Sequence, residues 1–124
     1  MKKIKILVVD DDFINLKLLK TMMMKQDFVE EVYEAKNGIE AIDTLRDKKD
    51  IDIVLLDIIM PMMDGLETLK IMRSDEELKH IPVIVLTTDE TKKSEALSLG
   101  ANDFLNKPIR ENQLVEKIKT FTQL

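Results

Sequence analysis

The sequence predicts an α/β protein, a doubly wound sheet of five strands with five helices, in one domain spanning residues 1–124. Three observations predict it. Short runs of Val, Ile and Leu recur at Ile4–Val9, Ile51–Leu56 and Val83–Leu86. Between these runs the apolar residues fall at helical spacing. No Pro/Gly/Ser linker, repeat or low-complexity stretch divides the 124 residues, so a single core accounts for the length. Continuous apolar runs suit strands covered on both faces. Their alternation with helices, through right-handed crossovers, puts helices on both sides of a parallel sheet.

The first strand, Ile4–Val9, is stopped by Asp10, Asp11 and Asp12. Phe13, Leu16, Leu19 or Lys20, and Met23 mark the helix that follows. Asp12 suits its N-cap, where a carboxylate meets free N–H groups and the positive end of the dipole. Val29–Ala35 (VEEVYEA) is more polar and suits an edge strand. Asn37 is a good N-cap for a second helix carrying Ile39, Ile42 and Leu45. The third strand, Ile51–Leu56, runs into Asp57, and Leu66, Leu69 and Met72 mark a helix after Gly65. Val83–Leu86 precedes Thr87. A fourth helix is expected from about Glu90 to Leu99, closed by Gly100 in a left-handed conformation. The short NDFLN at 102–106 suits the other edge strand, and Leu114, Val115, Ile118 and Phe121 give the last helix its apolar face.

Composition narrows the function. Hydrophobic residues make up 44% and charged residues 35%, ordinary for a globular protein. A net charge of -5 argues against direct nucleic-acid binding, which needs a basic footprint. The absence of Cys excludes disulfides and thiolate metal sites. No apolar run approaches the ~20 residues of a membrane span. The basic start MKKIKILVVDDD has too short an apolar run for a secretion signal, so a cytoplasmic protein is expected.

In open parallel sheets, ligands sit beyond the carboxyl ends of the strands, where the winding reverses. Asp10, Asp11 and Asp57 all fall at such ends. If the first and third strands are neighbours, three carboxylates converge and need protons or a cation to offset their repulsion. With no Cys and one His in the chain, a hard, oxygen-seeking ion such as Mg²⁺ is the natural partner. Lys107, in FLNKPI, lies on the same rim, and Thr87 adds a hydroxyl. A cation and an ammonium beside a carboxylate suit a tetrahedral oxyanion such as phosphate. Other conspicuous residues read as structural. His80 sits in a solvated loop before Pro82, Met22–Met24 fill helix and core, and Met60, Met62 and Met63 line the loop after Asp57. Lys92, Lys93 and Glu95 form a solvated helix face, whose sparse apolar residues Ala96, Leu97 and Leu99 suit an exposed partner-exchange surface equally well.

The stretches VVDDD, LLDIIMPMMDG, VIVLTT and GANDFLNKPI, with AKNGIEAI and the helix-opening Asn15, resemble the receiver domain of two-component response regulators. The resemblance runs from Lys5 to about Thr120 and is closest in kind to single-domain, chemotaxis-type regulators. It implies a flavodoxin-like sheet of order 2-1-3-4-5. It implies an aspartyl phosphate on Asp57, formed with phosphoryl groups from a histidine kinase or phosphotransfer protein, and no enzymatic role beyond the domain's own phosphorylation and dephosphorylation. Asp11 and Asp57 would hold Mg²⁺ directly, the carbonyl of Ile59 would be a third ligand, and Asp10 would act largely through water. Thr87 and Lys107 match the residues that hold phosphoryl oxygens. Phe104 matches an aromatic switch, and Lys107–Pro108 a peptide that is usually cis. A monomer that signals by contact with a downstream protein is implied, and no DNA-binding domain is expected after Leu124. With Met1 close to the first strand, a stand-alone regulator is expected. Three positions depart from the common pattern or vary within it. Thr88 is larger than the usual small residue and tightens access. Ile59 cannot hold an attacking water as Asp89 can, so slow self-dephosphorylation is expected. Phe104 lacks the hydroxyl of the common Tyr, which leaves packing alone to place an inward rotamer.

Three rivals meet the same residues. An aspartate-nucleophile phosphohydrolase of the haloacid dehalogenase type would use Asp10 and Asp12 as its D-x-D pair, but leaves Asp57, Thr87 and Lys107 unexplained. A flavin-binding flavodoxin would have to seat a phosphate on Asp10–Asp12, which repel it. A degenerate receiver that only binds partners would have a broken active set, and here all five members, Asp10, Asp11, Asp57, Thr87 and Lys107, are present.

Overall fold

The computed structural model describes residues 2–124. The elements alternate as β1 (Ile4–Val9), α1 (Phe13–Met24), β2 (Val29–Ala35), α2 (Gly38–Asp47), β3 (Ile53–Asp57), α3 (Gly65–Ser74), β4 (Val83–Thr87), α4 (Lys93–Ser98), β5 (Asp103–Asn106) and α5 (Glu111–Thr122). The strands are all parallel, in spatial order β2-β1-β3-β4-β5. The two polar strands lie at the edges, as their composition predicts.

Strand residues alternate between the two faces of the sheet, and the two halves of each apolar run enter different cores. Leu7, Val9, Val54, Leu56, Val83 and Val85 pack with Leu45 of α2, Leu69 and Met72 of α3 and Ala96 of α4. Ile4, Ile6, Val8, Leu55, Ile84 and Leu86 pack with Leu16, Leu19 and Met23 of α1 and with Leu114 and Ile118 of α5. Burying each such side chain contributes about 1.5–3 kcal/mol, so the sheet interior dominates stability. Among the described residues, no helix is long and apolar enough to cross a membrane.

Local chemistry sets the helix starts. Asp12 caps α1 by accepting the N–H groups of Ile14 and Asn15. Asn37 and Asp64 cap α2 and α3 by accepting from Glu40 and Glu67, each at 2.9 Å. Gly100 ends the α4 segment at φ +108°.

Three expectations need correction. Phe13 does not join the core: α1 buries Leu16, Leu19 and Met23, while Phe13 is 66% exposed. The third strand begins at Ile53, because the Lys5 N–H turns to the Asp52 carboxylate at 2.9 Å and leaves only the Asp52 N–H to Lys5 carbonyl bond of the backbone ladder there. The fourth helix is not continuous from Glu90. A 3₁₀ turn, Glu90–Lys92, precedes α4, because Asp89 caps at Thr91 and Lys92 offers α4 no side-chain cap.

Gly65 decides how closely α3 approaches the end of β3. A Cβ there would sit 2.3 Å from the Asp57 carbonyl oxygen and 2.8 Å from the Ile58 Cα. Both are backbone atoms, so nothing can rotate away. Gly65→Ala should therefore lower stability by about 1–3 kcal/mol, read as a lower urea midpoint at unchanged slope. An unchanged midpoint would show that α3 can slide without cost.

Candidate functional site

The register carries the functional side chains to one edge. Val9 pairs with Leu56, so Asp10 follows beside Asp57. Asp57 pairs with Leu86, which puts Thr87 one step further along. Thr87 in turn pairs with Asn106, and the Lys107 N–H donates to the Thr87 carbonyl at 2.9 Å. Parallel pairing thus turns four sequence-distant strand ends into one site at the reversal between β1 and β3.

There the structure brings together Asp10, Asp11, Asp57, Thr87 and Lys107. Asp10 is 1% exposed, Asp57 9% and Thr87 1%. The Lys107 ammonium donates to Asp10 Oδ2 at 2.8 Å and lies 3.5 Å from Asp57 Oδ2. Asp10 Oδ1 accepts the Asp12 N–H and Asp57 Oδ1 the Ile58 N–H, each at 2.9 Å. Oδ2 of Asp57 is therefore the oxygen aimed at the lysine. The Thr87 hydroxyl accepts the Asp89 N–H at 3.0 Å, which leaves its proton to donate. Asp11, exposed, completes a group of three carboxylates with one oxygen each within 4.8 Å of the others.

Burial pushes the Asp57 carboxyl up to about 6; the Lys107 charge opposes this and the Asp10 charge adds to it. Burial alone would depress Lys107, but its hydrogen bond to Asp10 and the charges of Asp57 and Asp10 raise it above its ordinary value. One ammonium cannot balance three carboxylates. The donor set is all oxygen, anionic and convergent, which fits a hard divalent cation such as Mg²⁺.

The surrounding residues refine the expectations. Asp10, beside the expected metal position, is also held by Lys107. The Asp89 carboxylate accepts the Thr91 N–H at 2.9 Å through Oδ1, which fixes the side chain at the 3₁₀ turn. Ile59 is 60% exposed, and Thr88 is exposed too. Phe104 is half-buried against the α2–α3 core. The Lys107–Pro108 peptide is cis, as the resemblance implies. Met60 is buried, Met62 is 75% exposed with φ 69°, and His80 is exposed. The phosphohydrolase alternative finds no support, since Asp12, the second member of its pair, is occupied at the N-terminus of α1.

Sequence reasoning missed Arg73, at the opposite edge of the sheet. Its half-buried guanidinium donates to the carbonyls of Gly100 (2.9 Å), Lys79 (3.2 Å) and Ile81 (2.9 Å) and to Asn102 Oδ1 (3.1 Å). It ties the C-terminus of α3 to the loops entering β4 and β5. All but one of its partners are backbone oxygens, which no side-chain pattern announces.

Comparison with known proteins gives the same picture. Residues 6–119 match the family model described as response regulator receiver domain. The chain is 37% identical over 126 residues to chemotaxis protein CheY-3 of Vibrio cholerae, covering 99% of this chain and 95% of that one. It is 33% identical over 118 residues to the polar-differentiation response regulator DivK of Brucella anthropi, covering 94% of each. Among solved structures, the response regulator domain of Thermotoga maritima CheB superposes with a TM-score of 0.87 at 31% identity, covering 99% of this chain and 98% of that one. A family match across nearly the whole chain, with the acidic edge lying where the sheet reverses, leaves one conclusion: the chain belongs to the receiver domains of two-component response regulators.

Proposed function

We propose that the domain accepts a phosphoryl group on Asp57 from a histidine kinase or a histidine phosphotransfer protein, in the cytoplasm, and signals by contact with a downstream protein. The observation that carries this is the Lys107 ammonium lodged between the buried carboxylates of Asp10 and Asp57. Asp57 Oδ2 attacks phosphorus as the donor's P–N bond breaks, and the imidazole leaves with the bonding pair. Such transfer needs alignment and charge stabilisation more than a strong nucleophile. Lys107 follows the charge onto the phosphoryl oxygens, and the Thr87 hydroxyl donates its free proton to another. Asp10, Asp11, Asp57 and the carbonyl of Ile59 would hold Mg²⁺. When bound, that ion would neutralise the acids and draw charge from the transferring group. The domain catalyses nothing beyond its own phosphorylation and dephosphorylation, and works as a monomer. Ile59 is apolar and cannot align water as the Asp89 carboxylate can, so the acyl phosphate is long-lived.

Incubation with acetyl phosphate, with and without Mg²⁺, followed by mass spectrometry tests the reading. A Mg²⁺-dependent gain of one phosphoryl group on Asp57, absent in Asp57→Asn, is expected. Labelling that survives Asp57→Asn, or that ignores a chelator, would refute it.

A further inference from the structure

Lys93 occupies a position that helix chemistry disfavours. It opens α4, a helix of 6 residues whose N-cap, Lys92, makes no side-chain hydrogen bond. A lysine in the first turn faces the positive end of the helix dipole. Among the described residues, no carboxylate lies within ion-pair distance of it. Its ammonium instead stands 3.9 Å from the centroid of the Phe104 ring, nearer than the 5.1, 5.7 and 5.1 Å of the other lysine–aromatic contacts. Both residues are half-buried, which strengthens the attraction between a cation and a ring face. A residue that violates the local rule while meeting a specific partner points to a role beyond helix formation.

The pair also lies on a continuous path from the acidic site. The Thr87 hydroxyl holds the Asp89 N–H at 3.0 Å. Asp89 caps the 3₁₀ turn, which runs straight into Lys93. Lys93 covers the ring of Phe104, and Phe104 pairs with Val85 on the strand that ends at Thr87. Any shift of the Thr87 side chain toward a new acceptor therefore pulls the segment that carries the ammonium.

We propose that Lys93 is a positioning residue whose ammonium clasps the Phe104 ring in the unphosphorylated domain, so that α4 and the ring are released together when Asp57 is modified. The proposal rests on the reading of Asp57 as phosphoacceptor. A contact made in only one of two states biases their ratio by its own strength. A half-exposed cation–aromatic contact corresponds to roughly fivefold.

The test uses the intact chain labelled with 4-fluorophenylalanine, which reports its four Phe side chains by ¹⁹F NMR, with Phe104 assigned through Phe104→Leu. Lys93→Met keeps the apolar stem and removes the charge, while Lys93→Arg keeps a cation. The Phe104 resonance should move in Lys93→Met and stay near its wild-type position in Lys93→Arg. Titration with beryllofluoride in Mg²⁺, a phosphoryl mimic, should reach half-saturation at roughly fivefold lower concentration in Lys93→Met. An unmoved Phe104 resonance in Lys93→Met refutes the clasp. A moved resonance with unchanged half-saturation refutes the coupling. If wild type ignores beryllofluoride, the phosphoacceptor reading fails and the coupling falls with it, while the ring resonance still judges the clasp.

Discussion

Lys107→Ala should lower the stability of the metal-free protein by roughly 3–5 kcal/mol, the cost of leaving a buried charge without its partner. Asp10 is 1% exposed, and the Lys107 ammonium at 2.8 Å is its one cationic contact among the described residues. Without it, Asp10 keeps the Asp12 N–H and faces Asp57 and Asp11 unshielded. The lysine's raised pKa means that its stabilisation is fully present below its ordinary 10.5 and is lost only as pH climbs through the higher folded value. The loss should thus be complete at pH 7.5 in EDTA, measured by urea unfolding. It should shrink at pH 5, where Asp57 carries a proton, and shrink again at pH 7.5 when Mg²⁺ is added. A loss below about 1 kcal/mol, the range of exposed pairs, would mean that water reaches Asp10 freely.

The sheet was legible because each apolar run is too short for a helix and is punctuated by charge. The edge strands were legible for the same reason, since VEEVYEA cannot be buried on both faces. The site followed from the strands, because Asp10, Asp57, Thr87 and Lys107 each stand where an apolar run stops. What escaped reading depends on contacts that sequence spacing does not encode. The Asp10–Lys107 bond spans 97 residues, so no local spacing announces it. The stretch from Asp89 to Glu95 is polar throughout, so no period separates a 3₁₀ turn from an α-helix there. Phe13 matched the helical period of α1, but a period fixes spacing and not which neighbouring stripe meets the sheet. Lys17, 5.1 Å from its ring centroid, covers part of the side chain left outside.

In EDTA, wild-type stability should fall as pH rises from about 4 to about 7, opposite to what ordinary surface carboxylates produce. Asp57 has a folded pKa of about 6 against 3.8 for the free side chain, chiefly through burial. Between those values the folded state binds the proton that the unfolded chain has released. The slope of unfolding free energy with pH is then negative. Completed through both values, the shift amounts to roughly 3 kcal/mol lost by neutral pH. Asp57→Asn removes the group, so variant and wild type should nearly coincide at pH 4 and diverge above it. At pH 7.5 the variant should be the more stable, melting higher by several degrees. Asp75, Asp89 and Glu111 have lowered pKa values and add a rise with pH, but they do so equally in both proteins and cancel in the difference. Saturating Mg²⁺ should close the gap from the wild-type side, since ion bound to the folded state alone at 100 times its Kd contributes about 2.7 kcal/mol. Curves that stay parallel from pH 4 to 7.5 would show that Asp57 ionises as freely in the fold as in water. The acidic site would then hold no unbalanced charge for a cation to answer.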